Sequence, residues 1–307
     1  MRSLLFIPAD SERKFAKGRA SEADALILDL EDSVAAARRP EARQLARGFL
    51  SGERTGQRLL VRINPLESED ALQDLAATMP SRPDAVMLPK ATPAELRRLD
   101  HYLAALEAAN GIRAGATRIV AIATETPAAV FSLGEYPGVT PRLEALTWGA
   151  EDLAALLGAV NRRPDGVYDD TFRLARALCV LAAQAAGVPA LDTVYTDFRD
   201  VPGLEEECRA ASRAGFAGKL AIHPGQVSAI NTAFSPSAEE LAWAHRVVEA
   251  FAANPGAGTI GIDGKMIDRP HLVLAERILK KGEGLCPQTL KHGTPLGPIG
   301  PRPHLLK

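Results

Sequence analysis

The feature that most constrains the fold is a regular alternation of short apolar runs with segments that carry helix signals. Eight such runs occur, at residues 4–8, 25–30, 59–63, 85–89, 119–123, 145–148, 190–195 and 220–222. Their apolar residues are continuous, which is typical of strands that are buried on both faces of a parallel sheet. Eight strand–helix alternations predict an α/β fold, a (β/α)8 TIM barrel with a C-terminal helical extension, rather than an open sheet.

The segments between these runs carry residues that begin and end helices. Thr92-Pro93-Ala94-Glu95 is a capping box with Pro at the first helical position, and Asn110-Gly111 is typical of a helix end. Helices are also predicted for residues 169–186 and 202–214, each of which is followed by a glycine. Residues 126–133 and 153–157 leave room only for short helices.

Composition excludes several classes of function. A chain of 307 residues with 46% hydrophobic content is long enough for one large barrel or two smaller domains. The formal charge of −2 gives no reason to expect binding to nucleic acid or to an anionic membrane. No run approaches the roughly 18 apolar residues that a membrane helix requires.

The cysteines and the first residues indicate a cytoplasmic protein. Cys179, Cys208 and Cys286 are odd in number and lack the spacing of a metal site, which is typical of reduced thiols. Residues 1–8 faintly resemble a signal peptide, but their apolar part is short and the charged residues 10–17 follow at once. We therefore expect a cytoplasmic location.

Ionisable residues stand at the end of nearly every predicted strand. They are Asp29, Glu31 and Asp32 after the second run, Arg62 in the third, Lys90 after the fourth, Glu125 after the fifth, Glu151 and Asp152 after the sixth, Asp192 and the polar Tyr195 in the seventh, and His223 after the eighth. In a (β/α)8 barrel these ends share one rim, which is where catalytic residues lie. The pattern favours an enzyme over a binding scaffold.

Glu125 and Asp152 follow two successive runs and are expected to face each other across this rim. Two or three oxygen donors in a polar mouth suit Mg2+, which keeps several waters and takes few protein carboxylates. Acidic residues at such positions also cap the helices that follow them. The residues alone leave the magnesium site and the helix cap as equal alternatives.

A second part of the chain follows the eighth run. We place a barrel with the active site in residues 1–235, and a helical extension and tail in residues 236–307. Ser237-Ala238-Glu239-Glu240 is a capping box that opens a helix reaching Asn254. Residues 256–261 match a dinucleotide fingerprint, but a helix precedes them and no long helix opens at Gly261, so we predict a flexible loop. A helix over residues 271–281 and a loosely ordered tail follow.

Six motifs stand in order between Arg2 and about Lys280. They are Arg2-Ser3-Leu4-Leu5-Phe6-Ile7-Pro8, Leu28-Asp29-Leu30-Glu31-Asp32-Ser33-Val34, Val61-Arg62-Ile63-Asn64, Trp148-Gly149-Ala150-Glu151-Asp152-Leu153, Ala221-Ile222-His223-Pro224-Gly225-Gln226 and Asp263-Gly264-Lys265-Met266-Ile267-Asp268-Arg269-Pro270. Together they resemble the citrate lyase β-subunit family, which includes malyl-CoA and citramalyl-CoA lyases and related thioesterases. Thr124 stands where that family usually has an aliphatic residue.

The resemblance implies a Mg2+-dependent lyase that cleaves a 3-hydroxyacyl thioester to a 2-oxo acid and an acetyl thioester by a retro-Claisen step. Glu125 and Asp152 resemble the metal ligands, with Glu125 also beside the substrate. Arg62 resembles the residue that binds the oxo-acid carboxylate, and its planar fork suits that role. An ion pair with Glu31 or Asp32 is the alternative for Arg62.

Asp268 resembles an acid/base that reaches into a neighbouring subunit's site. Its alternative is a cap on the helix that begins near Pro270. The family likeness implies a homotrimer.

Other rim residues are given supporting roles. Asp29, Glu31 and Asp32 are expected to order waters around the metal ion, and Lys90 is expected to form a salt bridge rather than a Schiff base. His223 is expected to be a hydrogen-bonded rim residue.

The partners that the resemblance implies are a small 2-oxo acid and a thioester carried by CoA or by an acyl carrier protein. Lys14, Arg38 and Arg39 are candidates for contacts to CoA. The alternatives to a stand-alone lyase are the β subunit of a citrate lyase complex, a thioester hydrolase on the same scaffold, and a non-catalytic metal-bearing subunit.

Overall fold

The computed structural model describes residues 1–283. Eight parallel strands form a closed barrel in which each strand pairs with the next and the eighth pairs with the first. The strands are β1 Ser3–Pro8, β2 Ala25–Asp29, β3 Arg58–Arg62, β4 Ala85–Leu88, β5 Arg118–Ile122, β6 Leu143–Thr147, β7 Ala190–Asp192 and β8 Gly218–Ala221. All eight predicted runs contain a strand, with small shifts at their ends. The expected (β/α)8 barrel is confirmed.

Helices follow the strands around the barrel. They are α1 Glu12–Arg19, α2 Arg39–Ser51, α3 Glu69–Thr78, α4 Pro93–Ala109, α5 Pro127–Phe131, α6 Glu151–Leu157, α7 Asp170–Ala185, α8 Val201–Arg213 and α9 Val227–Ala233. The capping box at Thr92 is confirmed, because the Thr92 side chain and the Glu95 side chain each accept from the other's backbone N–H. In residues 1–283 no helix is both long and apolar enough to cross a membrane.

The barrel wall is apolar on both sides. Side chains such as Ile27, Leu60 and Val120 fill the barrel interior. Their sequence neighbours Leu26 and Val61 point outward and pack in the layer beneath the helices. Because both faces of each strand are buried, each strand is a continuous apolar run in the sequence.

The chain divides into two compact units, and the second begins at Ser235. Within the second unit α10 (Ala238–Ala253) packs against α11 (Arg269–Glu283), and β9 (Thr259–Ile262) pairs antiparallel with β10 (Lys265–Asp268). The capping box at Ser237 is confirmed. The predicted tail and Cys286 lie outside the described residues.

The prediction of a flexible loop over residues 256–261 is wrong in its second half. Thr259–Ile262 forms β9, and the turn after it consists of Asp263 and Gly264, with φ of 50° and 74°. Two successive residues with positive φ are typical of a two-residue hairpin turn, for which Asp-Gly is a strong signal. Gly261 lies in a strand, which agrees with the rejection of a dinucleotide site.

Candidate active site

A cavity of about 360 Å³ opens at the carboxyl ends of the barrel strands. Its wall includes Asp29 at the end of β2, Arg62 at the end of β3, Glu125 just after β5 and Asp152 in the first turn of α6. These residues are far apart in the sequence and meet because all parallel strands of a barrel end at one rim. The structure therefore brings Arg62, Glu125 and Asp152 together at one rim, with Asp29 beside Arg62.

Glu125 is held in place by its neighbours on both sides. The carboxylate is 3% exposed and accepts a hydrogen bond from Lys90 N at 2.5 Å. On the other side it lies flat against Gly149, where an added Cβ would stand 2.5 Å from Glu125 Cγ. The Thr124 hydroxyl accepts a hydrogen bond from Gly149 N at 3.1 Å and fixes that approach. Only glycine leaves room for Glu125 here.

The electrostatics of Glu125 indicate a site for a cation. Burial raises the pKa of Glu125 to about 8, with a further contribution from the negative charge of Asp152. A divalent cation between the two carboxylates would offset both effects, because a nearby positive charge favours the ionised carboxylate. In the described residues no three His, Cys, Asp or Glu side chains are grouped to hold a metal by themselves. Two carboxylates in a polar mouth still fit Mg2+, because that ion keeps several waters.

Lys90 connects the acidic residues of the rim. Its ammonium lies 2.9 Å from Glu31 Oε1 and 3.0 Å from Asp152 Oδ1. Burial alone would lower the pKa of Lys90, but Glu31, Asp152 and Glu125 raise it above its ordinary value. A protonated amine is not a nucleophile, so the geometry agrees with the salt bridge that was expected in place of a Schiff base.

Arg62 is bound mainly by Asp29. Its Nε and Nη2 atoms each donate to one Asp29 oxygen at 2.7 Å, and Nη1 lies 3.0 Å from Glu31 Oε2 and 3.5 Å from Asp32 Oδ2. The ion pair that was considered as the alternative is therefore present, with Asp29 as the main partner. The guanidinium also lines the cavity, so the ion pair fixes its direction without removing it from the site.

Asp29, Glu31 and Asp32 differ in what they contact. Asp29 accepts from Arg62 and from the N–H groups of Glu31 and Ser33, while Glu31 lies between Arg62 and Lys90. Asp32 is mostly exposed at the cavity mouth. Asp29 thus pairs with Arg62, and Glu31 pairs with Arg62 and Lys90. Both carboxylates were expected to order water around a metal ion.

The three candidates for CoA contacts lie outside the cavity wall. Lys14 is exposed on α1, and Arg38 is paired with Asp10 and Glu41. Arg39 Nη1 lies 2.6 Å from Asp70 Oδ2. Arg39 is the least suited of the three, because a CoA phosphate would have to compete with that partner.

Asp268 lies in the second unit, at the end of β10. Its Oδ1 lies 2.5 Å from His271 Nδ1, within the first turn of α11.

His223 caps the short 3₁₀ helix Pro224–Gln226 by accepting from Gly225 N at 3.1 Å, and its ring stacks on Phe198. These contacts agree with the expectation that His223 is a hydrogen-bonded rim residue.

Asp192 was expected among the ionisable residues of the seventh strand, but the buried charged cluster that it forms was not predicted. Asp192 Oδ1 accepts from Trp148 Nε1 at 2.7 Å and from Arg176 Nε at 3.0 Å, and Asp192 Oδ2 lies 2.9 Å from Lys219 Nζ. Burial alone would raise the pKa of Asp192, but Lys219 and Arg176 lower it to about 2. The cluster fixes Trp148, the residue before Gly149. The sequence signal for this cluster was the position of Asp192, a charged residue inside an apolar run.

The sequence model of HpcH/HpaI aldolase/citrate lyase matches residues 2–224. The chain belongs to this family. The resemblance drawn from the six motifs is confirmed.

Two relatives of the HpcH/HpaI aldolase/citrate lyase family cover almost the whole chain. A citrate lyase subunit beta-like protein of Mycobacterium tuberculosis (strain CDC 1551 / Oshkosh) is 40% identical over 279 residues, which are 90% of this chain and 94% of the relative. A (3S)-malyl-CoA thioesterase of Cereibacter sphaeroides (strain KD131 / KCTC 12085) is 36% identical over 288 residues, which are 93% of this chain and 95% of the relative.

A solved structure is similar over the same length. It is the crystal structure of the protein CitE from Mycobacterium tuberculosis in complex with magnesium, acetoacetate and coenzyme A. The TM-score is 0.76 at 37% sequence identity, and the match covers 92% of this chain and 98% of that one. The HpcH/HpaI aldolase/citrate lyase match to residues 2–224 contains every rim residue described above, whereas Asp268 lies beyond it.

Proposed function

We propose that this protein is a Mg2+-dependent carbon–carbon lyase that cleaves a 3-hydroxyacyl thioester to a 2-oxo acid and an acetyl thioester. The observation that carries the proposal is the meeting of Glu125, Asp152 and Arg62 in one cavity at the barrel rim. The relatives support it, since CitE was crystallised with magnesium, acetoacetate and coenzyme A. The same comparison supports CoA as the thioester carrier.

The reaction breaks the C2–C3 bond of the acyl chain. The hydroxyl on C3 loses its proton and becomes the carbonyl of the 2-oxo acid, and the electron pair of the broken bond forms an enolate of the thioester. A proton then reaches C2 and gives the acetyl thioester. Mg2+, when bound, supplies Lewis acidity at the hydroxyl and the neighbouring carboxylate.

Glu125 and Asp152 are the residues that would hold the ion. Lys90 orients both of them, through its N–H to Glu125 and through its ammonium to Asp152. Gly149 and Thr124 keep the Glu125 side chain flat against the β6–α6 turn. The two carboxylates are thus directed into the cavity before substrate arrives, which lowers the cost of organising the site.

Arg62 would bind the carboxylate of the oxo acid and stabilise the negative charge of the enolate. Asp29 anchors the guanidinium by two hydrogen bonds. That anchor limits the side-chain motion that would otherwise weaken the contact with substrate.

Asp268, as the acid/base, would accept the proton of the C3 hydroxyl and return it to C2. By the family likeness it would act on the site of a neighbouring subunit in a homotrimer. It belongs to the second compact unit. Its side chain is 32% exposed, and contact with His271 gives it a route for proton exchange. Lys14 and Arg38 remain the better candidates for contacts to CoA.

A thioester hydrolase is the second candidate, and the 36% identity to a (3S)-malyl-CoA thioesterase favours it. In that reaction water attacks the thioester carbonyl, and the C2–C3 bond stays intact. The β subunit of a citrate lyase complex is the remaining alternative, in which an acyl carrier protein takes the place of CoA.

One experiment separates these functions. Purified protein with Mg2+ is incubated with malyl-CoA, citramalyl-CoA and citryl-CoA, and the products are identified by mass spectrometry. A lyase releases a 2-oxo acid together with acetyl-CoA. Release of malate without glyoxylate identifies a hydrolase, and no turnover of any thioester contradicts both enzymatic functions.

A further inference from the structure

Lys219 is a buried charged residue that the proposed chemistry does not use. It lies in β8 and is fully buried, and its neighbour Leu220 faces the barrel interior. Because side chains alternate along a strand, Lys219 points outward, into the layer beneath the helices. Its ammonium lies 2.9 Å from Asp192 Oδ2 and 2.7 Å from Glu207 Oε1. One buried lysine therefore joins the end of β7 to α8.

Asp192 holds the residue that leads into α6. Trp148 Nε1 donates to Asp192 Oδ1 at 2.7 Å, and the indole ring is fully buried. Asp152, one of the two proposed metal ligands, follows Trp148 by four residues and lies in the first turn of α6. The chain that enters α6 is thus anchored to Lys219 through Asp192.

Glu207 holds the segment that leaves α6. Arg162 Nη2 donates to Glu207 Oε2 at 2.6 Å. Asn161, the residue before Arg162, donates from Nδ2 to Glu151 Oε1 at 2.8 Å, and Glu151 is the first residue of α6. The segment after the helix therefore returns to the first turn, and its own anchor is the second carboxylate on Lys219.

Tyr168 brings the two anchored ends together. Its ring meets the Trp148 ring edge-on, with 4.9 Å between the centroids, and the Arg162 guanidinium lies 3.7 Å from the Tyr168 centroid. The helix between these ends spans only Glu151–Leu157. A helix of two turns is not stable by itself, so the position of Asp152 depends on contacts at the helix ends.

We propose that Lys219 is a positioning residue, which holds both ends of the segment that carries Asp152 and so directs that carboxylate into the cavity. The inference rests on the proposed function, in which Asp152 holds Mg2+, and it assigns a role to a residue outside the cavity wall. Without the ammonium, Asp192 and Glu207 would be buried carboxylates that lack a shared partner, and the two anchors would separate.

Hydrogen exchange of the metal-free protein is the first test. In Lys219→Met and in Arg162→Met, the amides of residues 151–158 should exchange at least about tenfold faster than in the wild type, because the ends of α6 are released. Arg162 is 23% exposed, so Arg162→Met folds even if the buried Lys219→Met does not, and circular dichroism checks this. Unchanged exchange in Arg162→Met, or in a folded Lys219→Met, overturns the inference.

Magnesium affinity is the second test and does not require turnover. Calorimetric titration should give a Kd for Mg2+ that is raised about tenfold or more in both variants, as for other residues that orient metal ligands. Arg162→Lys keeps a cation near Glu207 and should bring the Kd to within about threefold of the wild type. An unchanged Kd in the two Met variants overturns the inference. If the wild type binds no Mg2+, the proposed function fails, and the exchange test still decides whether Lys219 anchors α6.

Arg142→Met is the matched control. Arg142 is buried, pairs with Asp100 and Glu107, and precedes β6 at the end of the barrel opposite the rim. Its loss should lower stability, because it also breaks a buried ion pair. Exchange of residues 151–158 and the Kd for Mg2+ should stay within about twofold of the wild type. A rise in both quantities as large as that in Arg162→Met would trace the effect to general destabilisation and overturn the positioning role.

Discussion

Lys90 is the residue that joins the acidic groups of the rim. Its backbone N–H donates to Glu125, and its ammonium contacts Glu31 and Asp152. Its φ of 49° lies in the left-handed region, which costs a non-glycine residue on the order of 1 kcal/mol. The surrounding contacts offset that strain, and the unusual backbone directs the Lys90 N–H to Glu125.

The metal assignment can be tested at Asp152. Asp152→Ala removes one of the two carboxylates that we propose hold Mg2+, so metal-dependent turnover should fall by more than about 100-fold. The melting temperature should change little, because the side chain is partly exposed. Asp170→Ala, on the surface of α7, is the matched control and should keep wild-type activity. Full activity of Asp152→Ala at low Mg2+ would show that the assignment is wrong.

For Arg62 the test concerns the geometry of its fork. Arg62→Lys keeps the charge and loses the two-point contact, so the oxo-acid product should bind more weakly by about 1–3 kcal/mol in a calorimetric titration. Arg2→Lys is the control, because Arg2 makes a comparable two-point contact with Asp24. That control should leave product affinity unchanged. If Arg62→Lys binds the product as tightly as the wild type does, Arg62 has only a structural role.

The β6–α6 turn sets the shape of the site at the scale of elements. Gly149 in this turn lies against the side chain of Glu125, which follows β5, and Asp152 lies three residues later in the first turn of α6. Trp148, just before Gly149, is tied to Asp192 at the end of β7. Three neighbouring strand ends are thus linked, and the two proposed metal ligands depend on that link.

Gly149→Ala tests the link. The new Cβ would stand 2.5 Å from Glu125 Cγ, so Glu125 must shift. A displacement near 1 Å should reduce kcat/KM by about 10–100-fold and raise the Mg2+ concentration needed for half-maximal activity. Gly48→Ala in α2 meets nothing within 4 Å and should leave both quantities unchanged. Wild-type kinetics in Gly149→Ala would mean that the close contact does not position Glu125.

Glu107 gives a pH-dependent test of a structural element. At the end of α4 it accepts from Gly115 N and Thr117 N at 2.8 Å and pairs with Arg142 at 2.6 Å. Burial alone would raise the pKa of Glu107, but Arg142 and the two N–H groups lower it to about 2. A carboxyl with a lowered pKa stabilises the fold above its unfolded pKa near 4.5, and this contribution is lost as the pH falls toward 2.

Glu107→Gln should therefore lower the free energy of unfolding by about 3 kcal/mol at pH 7, because it removes one partner of a buried ion pair. The difference from the wild type should shrink between about pH 4.5 and pH 2. Urea unfolding at several pH values measures it, and Glu12→Gln, exposed on α1, serves as the control. A difference that stays constant with pH would exclude ionisation of Glu107 as its cause.

At the scale of the whole molecule, the barrel and the C-terminal unit carry different parts of the proposed site. The barrel holds Arg62, Glu125 and Asp152, and the unit that begins at Ser235 holds Asp268. Asp268 ends β10 and precedes α11, so it also has the position of a helix cap. A role in a neighbouring subunit's site and a role as a cap make different predictions for mixed oligomers.

Complementation distinguishes the two roles. Asp268→Asn and Asp152→Ala should each be inactive alone. Reassembled together, they should recover part of the wild-type activity, since some sites then combine an intact barrel with an intact Asp268. No recovery, although mass spectrometry shows mixed oligomers, would exclude a site shared between subunits. Full activity of Asp268→Asn alone would exclude the acid/base role.

The barrel was predictable because its cause is local and repeated. Each strand is buried on both faces and each helix has its own boundary residues, so the eight units can be read one at a time. The hairpin β9–β10 was missed although Asp263-Gly264 marked its turn, because the glycines before it resembled a loop. The glycine-rich composition favoured a loop, but the pairing of β9 with β10 makes residues 259–262 a strand.

The sequence by itself determined the barrel, the family and which residues stand at the strand ends, because strand order in a barrel follows chain order. Only the tertiary structure decided what those residues contact. Arg62 is hydrogen-bonded to Asp29, and the Lys90 ammonium lies between Glu31 and Asp152. Side chains that are far apart in the sequence come into such contact only when the barrel closes. The close approach of Gly149 to Glu125 and the charge of the cavity likewise depend on three-dimensional packing, which no local pattern encodes.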